Sequence, residues 1–283
     1  MKVVAALATC ALGACGFDVN AGGGRDGGGS GSDASGSGDA TSIDAEVAPP
    51  VACSSPITTG LVACFELEDD VADGTLRDSS PAHADASTMG LVATQRTKPA
   101  TSEAASVTNS ASTYVSDSAS LDLATGYTVT MWVQVNSVPP TSMPYGLYDH
   151  ELQYAAVVGK TGSNDAFLRC INTDRNFEYT SRLPTSTWVF VACTWDGTNL
   201  CAQYWSSTTD HERYCMVPGG IVADGAHGLA LGHLSENGSP SRALDGSFDS
   251  VQVYNRALDD GELCTIIGQG TDCLPCDGIC PSD

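Results

Sequence analysis

The stretch TWVFVACTWDGTNLCAQYW, residues 187–205, consists of two runs rich in β-branched and aromatic residues that flank Asp196-Gly197. An Asp-Gly pair between such runs is a strong signal for a β-hairpin, because glycine readily adopts the positive φ angle of a tight turn. Cys193 and Cys201 lie about equally far from this turn. They could face each other as a disulfide across the hairpin, whereas a register shift of one residue would separate them.

The same β pattern recurs on both sides of the hairpin. Apolar residues alternate in YTVTMWVQV (127–135) and in SFDSVQVYNRAL (247–258). Asp259-Asp260-Gly261-Glu262 has the spacing of a capping box and predicts one short helix. Because long helical periodicity is absent, the pattern predicts an all-β fold, an antiparallel two-sheet sandwich with one short C-terminal helix.

The N-terminal residues are typical of an exported lipoprotein. Residues 3–14 are almost wholly apolar, and this run is shorter than the roughly 20 residues of a membrane-spanning helix. We therefore predict a signal peptide over residues 1–14. Leu12-Gly13-Ala14-Cys15 resembles the lipobox of bacterial lipoproteins, which implies cleavage before Cys15 and attachment of lipid to it. The expected location is the bacterial cell envelope, at the outer membrane; an ordinary secretory signal, and hence a secreted protein, is the alternative.

A compositional change separates this signal from the rest of the chain. From Gly16 to about Pro50 the sequence is mostly Gly, Ser, Asp and Ala. Such a segment buries too little apolar surface to offset its ordering entropy. We therefore predict a disordered tether over residues 15–52, a domain over residues 53–268 and a cysteine-rich tail over residues 269–283.

The cysteine count supports an oxidising compartment. With Cys10 in the signal and Cys15 carrying lipid, ten of the 12 cysteines remain. An even number in an exported chain predicts up to five disulfides. Cys273, Cys276 and Cys280 have zinc-like spacing, but no matching pair lies at zinc-finger distance. The predicted disulfide cysteines are Cys53, Cys64, Cys170, Cys193, Cys201, Cys215, Cys264, Cys273, Cys276 and Cys280.

The charge of the chain excludes nucleic acid as a partner. The formal net charge is −22, from 12 Lys plus Arg and 34 Asp plus Glu. Nucleic-acid binding needs a basic surface, which this composition does not provide. An anionic membrane would also repel the domain, so the expected membrane contact is the N-terminal lipid alone.

Four blocks together resemble one family. They are GLVACFELEDD…LRDSSPAHA (60–84), YTVTMWVQV, TWVFVACTWDGTNLCAQYW and LDGSFDSVQVYNRALDDGEL (244–263). In this order they resemble the laminin-G-like, concanavalin A-like jelly-roll domains of bacterial surface proteins. The resemblance implies a jelly roll over residues 53–268 and a lectin-like role.

The resemblance also implies a structural calcium ion near one end of the sandwich. The positions that match its ligands are Glu68, Asp78 and Asp249. Calcium takes six to eight oxygen ligands, which carboxylates and carbonyls from separate loops can supply. Glu68 stands where the family more often has Asp, and Pro81 replaces a usual Gly, so these acids could instead simply cap turns.

Aromatic residues are the candidates for a carbohydrate site. Tyr145, Tyr148, His150 and Tyr154 cluster in MPYGLYDHELQY (143–154), which we interpret as a long insertion between strands, and Trp205 follows the hairpin. Aromatic rings in a cleft can stack on a sugar ring. The alternative is that these side chains belong to the core.

The acidic stretch ELEDD (66–70) raises the possibility of catalysis. Retaining glycosidases carry two carboxylates about 5 Å apart, and Glu66, Glu68 and Asp70 alternate onto one face. They lie on the opening strand, however, rather than on the central strand that carries the acids in such enzymes. We therefore expect an envelope-anchored, lectin-like lipoprotein that binds a carbohydrate or surface ligand without catalysis. The alternative is a protein-interaction, adhesion or structural domain, and a glycoside hydrolase is less favoured.

Overall fold

The computed structural model describes residues 53–68, 71, 74–97, 101–151, 153–162, 164–173, 176–217, 227–236 and 239–268. The predictions for residues 1–52, for Asp70 and for the tail 269–283 lie outside the described residues. They include the signal peptide, lipidated Cys15, the tether, and Cys273, Cys276 and Cys280.

The described residues form an almost purely β structure, as predicted. The strands in chain order are β1 (Leu61–Phe65), β2 (Thr75–Leu76), β3 (Ala86–Arg96), β4 (Ser102–Val115), β5 (Tyr127–Val135), β6 (Tyr145–His150), β7 (Tyr154–Lys160), β8 (Ala166–Asn172), β9 (Asn176–Tyr179), β10 (Trp188–Trp195), β11 (Leu200–Ser207), β12 (Asp210–Met216), β13 (Leu229–Leu231), β14 (Leu234–Glu236), β15 (Ser239–Ser241) and β16 (Gly246–Tyr254). One helix follows, α1 (Asp260–Ile267).

One curled antiparallel sheet provides both layers of the sandwich. Its strand order is β12-β11-β10-β5-β16-β4-β13-β6-β7-β8-β9, and β1 pairs with β16 while β3 pairs with β4 and β2. The two ends of this order meet, because β8 and β9 contact β11 and β12 without pairing with β11 or β12. The two layers therefore enclose a common interior.

Strand β16 pairs with two different strands along one edge and with β5 along the other. Its first half pairs with β4 at Ser247 and Phe248, and its second half pairs with β1 from Val251 to Tyr254. The ladder to β5 is irregular between Asp249 and Gln252. Ser250 has a φ of 48°, and an irregularity of this kind bends a strand and increases its twist.

Alternation along the strands sorts the apolar side chains into an inner and an outer cluster. Val129, Met131, Val133 and Val135 of β5 lie in the inner core, as the sequence pattern predicted for one face. The opposite face of the same layer is also buried. Its outer cluster consists of Trp132, Trp188, Phe190, Trp205, Tyr254 and their neighbours, with Leu258, Leu263, Cys264 and Ile267 from the region of α1.

The predicted hairpin is formed by β10 and β11, with Gly197 at a φ of 92° in the turn. Asp196 Oδ1 accepts hydrogen bonds from the Thr198 N–H at 2.7 Å and the Asn199 N–H at 2.6 Å. Partial burial acts to raise the pKa of Asp196, but these bonds outweigh it and hold that pKa below its ordinary value. The turn is thus fixed by its own side chain as well as by glycine.

The predicted alternative of a Cys193–Cys201 disulfide across this hairpin is wrong, because the register is offset by one residue. Cys193 is opposite Ala202, and Cys201 is opposite Thr194. Neighbouring residues on a strand point to opposite faces, so the two sulfurs lie on different sides of the sheet. The disulfides among the described residues are Cys53–Cys64, Cys170–Cys193 and Cys201–Cys215, and Cys264 is disulfide-bonded as well.

The predicted capping box begins α1. The Asp259 side chain accepts a hydrogen bond from the Glu262 N–H, and the Glu262 side chain accepts one from the Asp259 N–H. Gly268 ends the helix with a left-handed backbone conformation. In the part of the chain that the structure describes, no helix has the length and apolar character that crossing a membrane requires.

Candidate functional site

A polar cleft lies on the outer face of the sheet, beside α1. We call it the helix-side cleft; it has a volume of about 240 Å³. Its lining comes from the N-terminal segment, the residues after β1, the facing ends of β3 and β4, strands β5, β10 and β16, and α1. The lining residues are Ser54, Ser55, Pro56, Glu66, Glu68, Arg96, Ser102, Trp132, Phe190, Ser250, Gln252 and Ile266.

A buried ion pair forms one side of this cleft. Arg96 Nε donates to Asp249 Oδ2 at 2.5 Å, and Asp249 is fully buried. Burial raises the pKa of Asp249 above its ordinary value, although hydrogen bonds from Arg96 and Ser102 act in the opposite direction. The pair balances the charge of Arg96 within the fold.

Ser102 connects this pair to Glu68. Its Oγ lies 2.9 Å from Asp249 Oδ2 and 2.5 Å from Glu68 Oε1. The Glu103 N–H donates to Glu68 Oε2 at 3.3 Å. Both oxygens of Glu68 therefore lie within hydrogen-bond distance of donors at the start of β4, and the single Ser102 hydroxyl proton is shared between Glu68 and Asp249.

Glu66 is less fully engaged than Glu68. Its Oε1 accepts the Ser54 N–H at 3.2 Å. Its Oε2 accepts no hydrogen bond from any described residue. Glu66 lies next to the Cys53–Cys64 disulfide, which fixes the N-terminal segment against β1. One carboxylate oxygen in the lining is therefore available to a ligand.

Gln252 supplies hydrogen-bond donors from the floor of the cleft. The residue is 4 % exposed, and its Oε1 accepts a hydrogen bond from the Tyr254 hydroxyl at 2.8 Å. Its Nε2 donates to none of the described residues. Because Gln252 lines the cleft, its amide N–H groups are positioned to meet a ligand there.

Aromatic rings form the base of the cleft. Trp132 contacts Phe190 and Trp205 with edge-to-face geometry, at centroid distances of 5.7 and 6.2 Å. The Arg96 guanidinium lies 5.1 Å from the centre of the Trp132 ring. Trp132 and Phe190 are 4 % and 1 % exposed, so they support the polar groups rather than project as an open platform.

The three predicted calcium ligands do not converge. Glu68 and Asp249 meet around Ser102, whereas Asp78 accepts four hydrogen bonds, from the N–H groups of Cys64, Ser80 and Ala84 and from the Ser80 hydroxyl. Among the described residues, these three do not form a set whose ligand atoms all lie within 4.8 Å of one another. In this structure Asp78 organises the loop that follows β2.

The interpretation of residues 143–154 as an insertion is wrong, because they contain most of the hairpin formed by β6 and β7. Tyr148, His150 and Tyr154 are at most 1 % exposed, and the rings of His150 and Tyr154 stack at 5.0 Å. Trp205 belongs to the outer cluster, and Tyr145 is half-buried. These residues therefore belong mainly to the core.

His150 and Tyr154 also reach a second, smaller cleft of about 180 Å³, which Asp149, Gln153 and Thr173 help to line. Nearby, ligand atoms of Asp117, Asp122 and His150 all lie within 4.8 Å of one another. These are residues that could hold a divalent ion. Sequence reasoning did not join them, because Asp122 and His150 lie 28 positions apart in the chain.

Sequence reasoning missed Arg96, Ser102 and Gln252 as cleft residues. Arg96 and Ser102 flank a polar stretch without alternating apolar residues, which gives no strand signal. Gln252 was visible only as a polar position in an alternating strand. The acidic stretch ELEDD did point to the site, because Glu66 and Glu68 both line this cleft.

Comparison with known proteins identifies the fold. A family model described as the concanavalin A-like lectin/glucanases superfamily matches residues 108–264, more than half of the 283 residues. The chain belongs to this superfamily. The laminin-G-like, concanavalin A-like resemblance is thereby confirmed, and the two layers of the curled sheet are those of a concanavalin A-like sandwich.

Solved structures agree with this concanavalin A-like assignment. Domain 4 of AbnA, a GH43 extracellular arabinanase from Geobacillus stearothermophilus, in complex with arabinotriose, is similar with a TM-score of 0.54 and 15 % identity, over 77 % of this chain and 99 % of that one. The binding domain of botulinum neurotoxin DC in complex with rat synaptotagmin II has a TM-score of 0.53 and 9 % identity, over 74 % of this chain and 51 % of that one.

A third similar structure is the Trypanosoma rangeli sialidase in complex with the inhibitor DANA. Its TM-score is 0.51 at 13 % identity, over 75 % of this chain and 33 % of that one. No curated protein sequence matches the chain. At these identities the likeness establishes the concanavalin A-like fold.

Proposed function

We propose that this protein is a lipid-anchored lectin of the bacterial cell envelope, which binds a glycan in the helix-side cleft without catalysing a reaction. The observation that carries the proposal is the lining of that cleft. Gln252 offers donors, Glu66 offers an open acceptor, and the rings of Trp132 and Phe190 lie beneath them. Binding pockets of this kind combine an apolar base with a few polar groups that fix the orientation of the ligand.

The comparisons support a binding role. AbnA domain 4 is similar over nearly its whole length and was solved with arabinotriose. The concanavalin A-like fold hosts several unrelated functions, so the fold alone does not select one. The choice of a glycan therefore rests on the side chains of the cleft.

The proposal is tested on a glycan array with the full chain, purified with its disulfides intact. We expect a saturable sugar signal that falls in Gln252→Met, which removes the amide group of a lining residue, and in Glu66→Gln, which replaces a charged acceptor of the lining by a weaker, neutral one. Glu236→Gln is the matched control, since it removes one charge from an exposed side chain outside the lining. A blank array from folded protein, or equal losses in all three variants, would overturn glycan binding at this cleft.

Anchoring is a separate part of the proposal. It rests on the resemblance of Leu12-Gly13-Ala14-Cys15 to a lipobox. In a bacterial host we expect labelled fatty acid to be incorporated into the wild-type chain and not into Cys15→Ser. Labelling of neither chain, together with release into the medium, would favour secretion.

A structural calcium ion at Glu68, Asp78 and Asp249 also remains a proposal. It would require Asp78 to exchange hydrogen bonds within its loop for contacts to the metal. A rise in Tm with calcium that a chelator reverses and Asp78→Asn abolishes would support the ion. An unchanged Tm would show that Asp78 stabilises its loop and does not bind calcium.

Two other functions have specific support. The similarity to a neurotoxin binding domain solved with synaptotagmin II favours a protein partner, which crosslinking at the cell envelope would recover. The presence of Glu66 and Glu68 in one cleft favours a glycosidase. Turnover of chromogenic glycosides that Glu66→Gln or Glu68→Gln abolishes would establish that second function.

A further inference from the structure

The helix-side cleft carries more negative than positive charge. Its charged lining residues are Glu66, Glu68 and Arg96. Arg96 is balanced by Asp249 at 2.5 Å, so its charge is already matched within the fold. Two carboxylates remain without a cation among the described lining residues.

Glu66 is the carboxylate best placed to meet a ligand. Its Oε1 accepts from the Ser54 N–H, whereas Oε2 receives no hydrogen bond from any described residue. Both oxygens of Glu68, by contrast, have partners at the start of β4. A donor on the ligand would therefore find its strongest acceptor at Glu66 Oε2, because hydrogen bonds to ionised acceptors are about twice as strong as neutral ones.

Gln252 gives an independent indication that this cleft receives a ligand. The residue is 4 % exposed, and its Oε1 is engaged by Tyr254. Its Nε2, in a residue that lines the cleft, makes no hydrogen bond to the described residues. Nε2 is not among the buried side-chain atoms that lack a partner, so it is accessible from the cleft, and its N–H groups can donate to an acceptor such as a sugar hydroxyl oxygen.

These observations specify the chemical class of ligand. Gln252 is suited to hydroxyl oxygens, and the carboxylates of Glu66 and Glu68 are suited to a cationic donor. We propose that the helix-side cleft selects a glycan with free, protonated amino groups, such as a glucosamine oligomer, over the same glycan in N-acetylated form. This inference rests on the proposed function, since it names the sugar class that the same cleft binds.

A cationic protein segment would also satisfy the carboxylates. The cleft favours the sugar, because its lining offers hydroxyl, amide and carboxylate groups spread over several strands. A lysine side chain has donors on one terminal atom and no acceptor. The Gln252 amide would then depend on a backbone carbonyl of the segment for its acceptor.

The test compares two oligosaccharides that share one backbone. Binding of a glucosamine oligomer and of the N-acetylglucosamine oligomer of the same length to the full chain is measured by titration calorimetry. We expect the free-amine oligomer to bind about tenfold more tightly, as one charge-assisted hydrogen bond implies. Rising salt should reduce this preference, because it screens the partly exposed charges.

Two substitutions distinguish an effect of the Glu66 carboxylate from a general effect of net charge. Glu66→Gln should remove the preference between the two oligomers, because it weakens binding of the free-amine oligomer more than binding of the acetylated one. Glu236→Gln, which removes one charge outside the cleft lining, should keep the preference. The Tm of each variant shows that it is folded.

The outcomes distinguish the two proposals. Equal affinity for both oligomers in the wild type, or a preference that survives Glu66→Gln, would overturn the amino-sugar inference and leave glycan binding in place. Absence of binding to both oligomers and to every glycan on the array would overturn both. Binding of an oligolysine peptide in the cleft without either sugar would replace the glycan by a basic protein segment.

Discussion

Arg96 Nε and Asp249 Oδ2 lie 2.5 Å apart, and this contact joins the end of β3 to the irregular part of β16. Asp249 is fully buried and Arg96 nearly so. The guanidinium also lies over the ring of Trp132. One ion pair therefore ties together the two strands and the aromatic base of the helix-side cleft.

We expect Asp249→Leu to lower the free energy of unfolding by about 3 kcal/mol, because it removes the carboxylate that pairs with the buried charge of Arg96 at 2.5 Å. Urea denaturation of the oxidised protein measures the change. The double variant Arg96→Met/Asp249→Leu should be more stable than the single one, since it removes both charges. A double variant less stable than the single would show that the pair itself stabilises the fold.

The turn of the β10–β11 hairpin gives a second prediction. Gly197 has a φ of 92°, at which a side chain is strained, so Gly197→Ala should lower the free energy of unfolding by about 1 kcal/mol. Gly162→Ala is the control, because a Cβ there meets nothing within 4 Å and its φ is not in the positive range. Equal effects in the two variants would contradict this account of the turn.

Peptide mapping without reduction should recover Cys170–Cys193 and Cys201–Cys215. The first bond joins strands β8 and β10, which are separated in the sheet order, and closes a loop with a sequence separation of 23. Replacing both of its cysteines by Ala should cost about 3 kcal/mol. A recovered Cys193–Cys201 peptide would contradict the register of the hairpin.

The loop around Asp78 should be sensitive to a change of one atom. Asp78→Asn replaces a carboxylate oxygen by an NH₂ group that faces N–H and O–H donors. We expect the free energy of unfolding to fall by about 2 kcal/mol, the range for hydrogen bonds to charged groups. Asp117→Asn removes the same charge from an exposed position and should have little effect. Similar losses of stability in both variants would show that the effect comes from the change in net charge.

The ion pair at α1 predicts a modest dependence of stability on pH. Hydrogen bonds from Arg256 hold the pKa of Glu262 below its ordinary value of 4.5. The unfolded chain therefore takes up a proton first as pH falls, so this stabilisation is present above that ordinary value and is lost as pH falls through the folded-state pKa.

Glu262→Gln keeps an acceptor for the capping box and removes the charge. The variant should be less stable than the wild type by about 0.5 kcal/mol at pH 6, since solvent screens the pair. The difference should shrink when urea unfolding is repeated at about pH 3. A difference that is constant from pH 6 to pH 3 would show that the charge of Glu262 does not contribute.

Local signals were sufficient for much of the fold. The Asp196-Gly197 turn, the alternating faces of β5 and the capping box at Asp259 are confirmed, because neighbouring residues determine each of them. The long hairpin of β3 and β4 was not predicted. Its strands are rich in Ser, Thr and Ala, and alternation cannot be detected where few large apolar residues occur.

The candidate site depended on contacts that no local pattern encodes. Alternation placed Trp132 on the polar face of β5, but only the tertiary structure shows that α1 buries that face. The Cys193–Cys201 alternative failed through one residue of register, which the turn type sets. Arg96 and Asp249 are 153 residues apart, so nothing near either one in the sequence predicted their pairing.

The Cys53–Cys64 bond determines how the domain would carry mechanical load. Tension on the chain before Cys53 would pass through the bond to Cys64, within β1 and opposite Gln252 of β16. The residues between the two cysteines, among them Ser54, Ser55 and Pro56 of the helix-side cleft, would be bypassed. A pull from that side would therefore load the β1–β16 ladder, including Gln252, and leave the segment between the two cysteines free of tension.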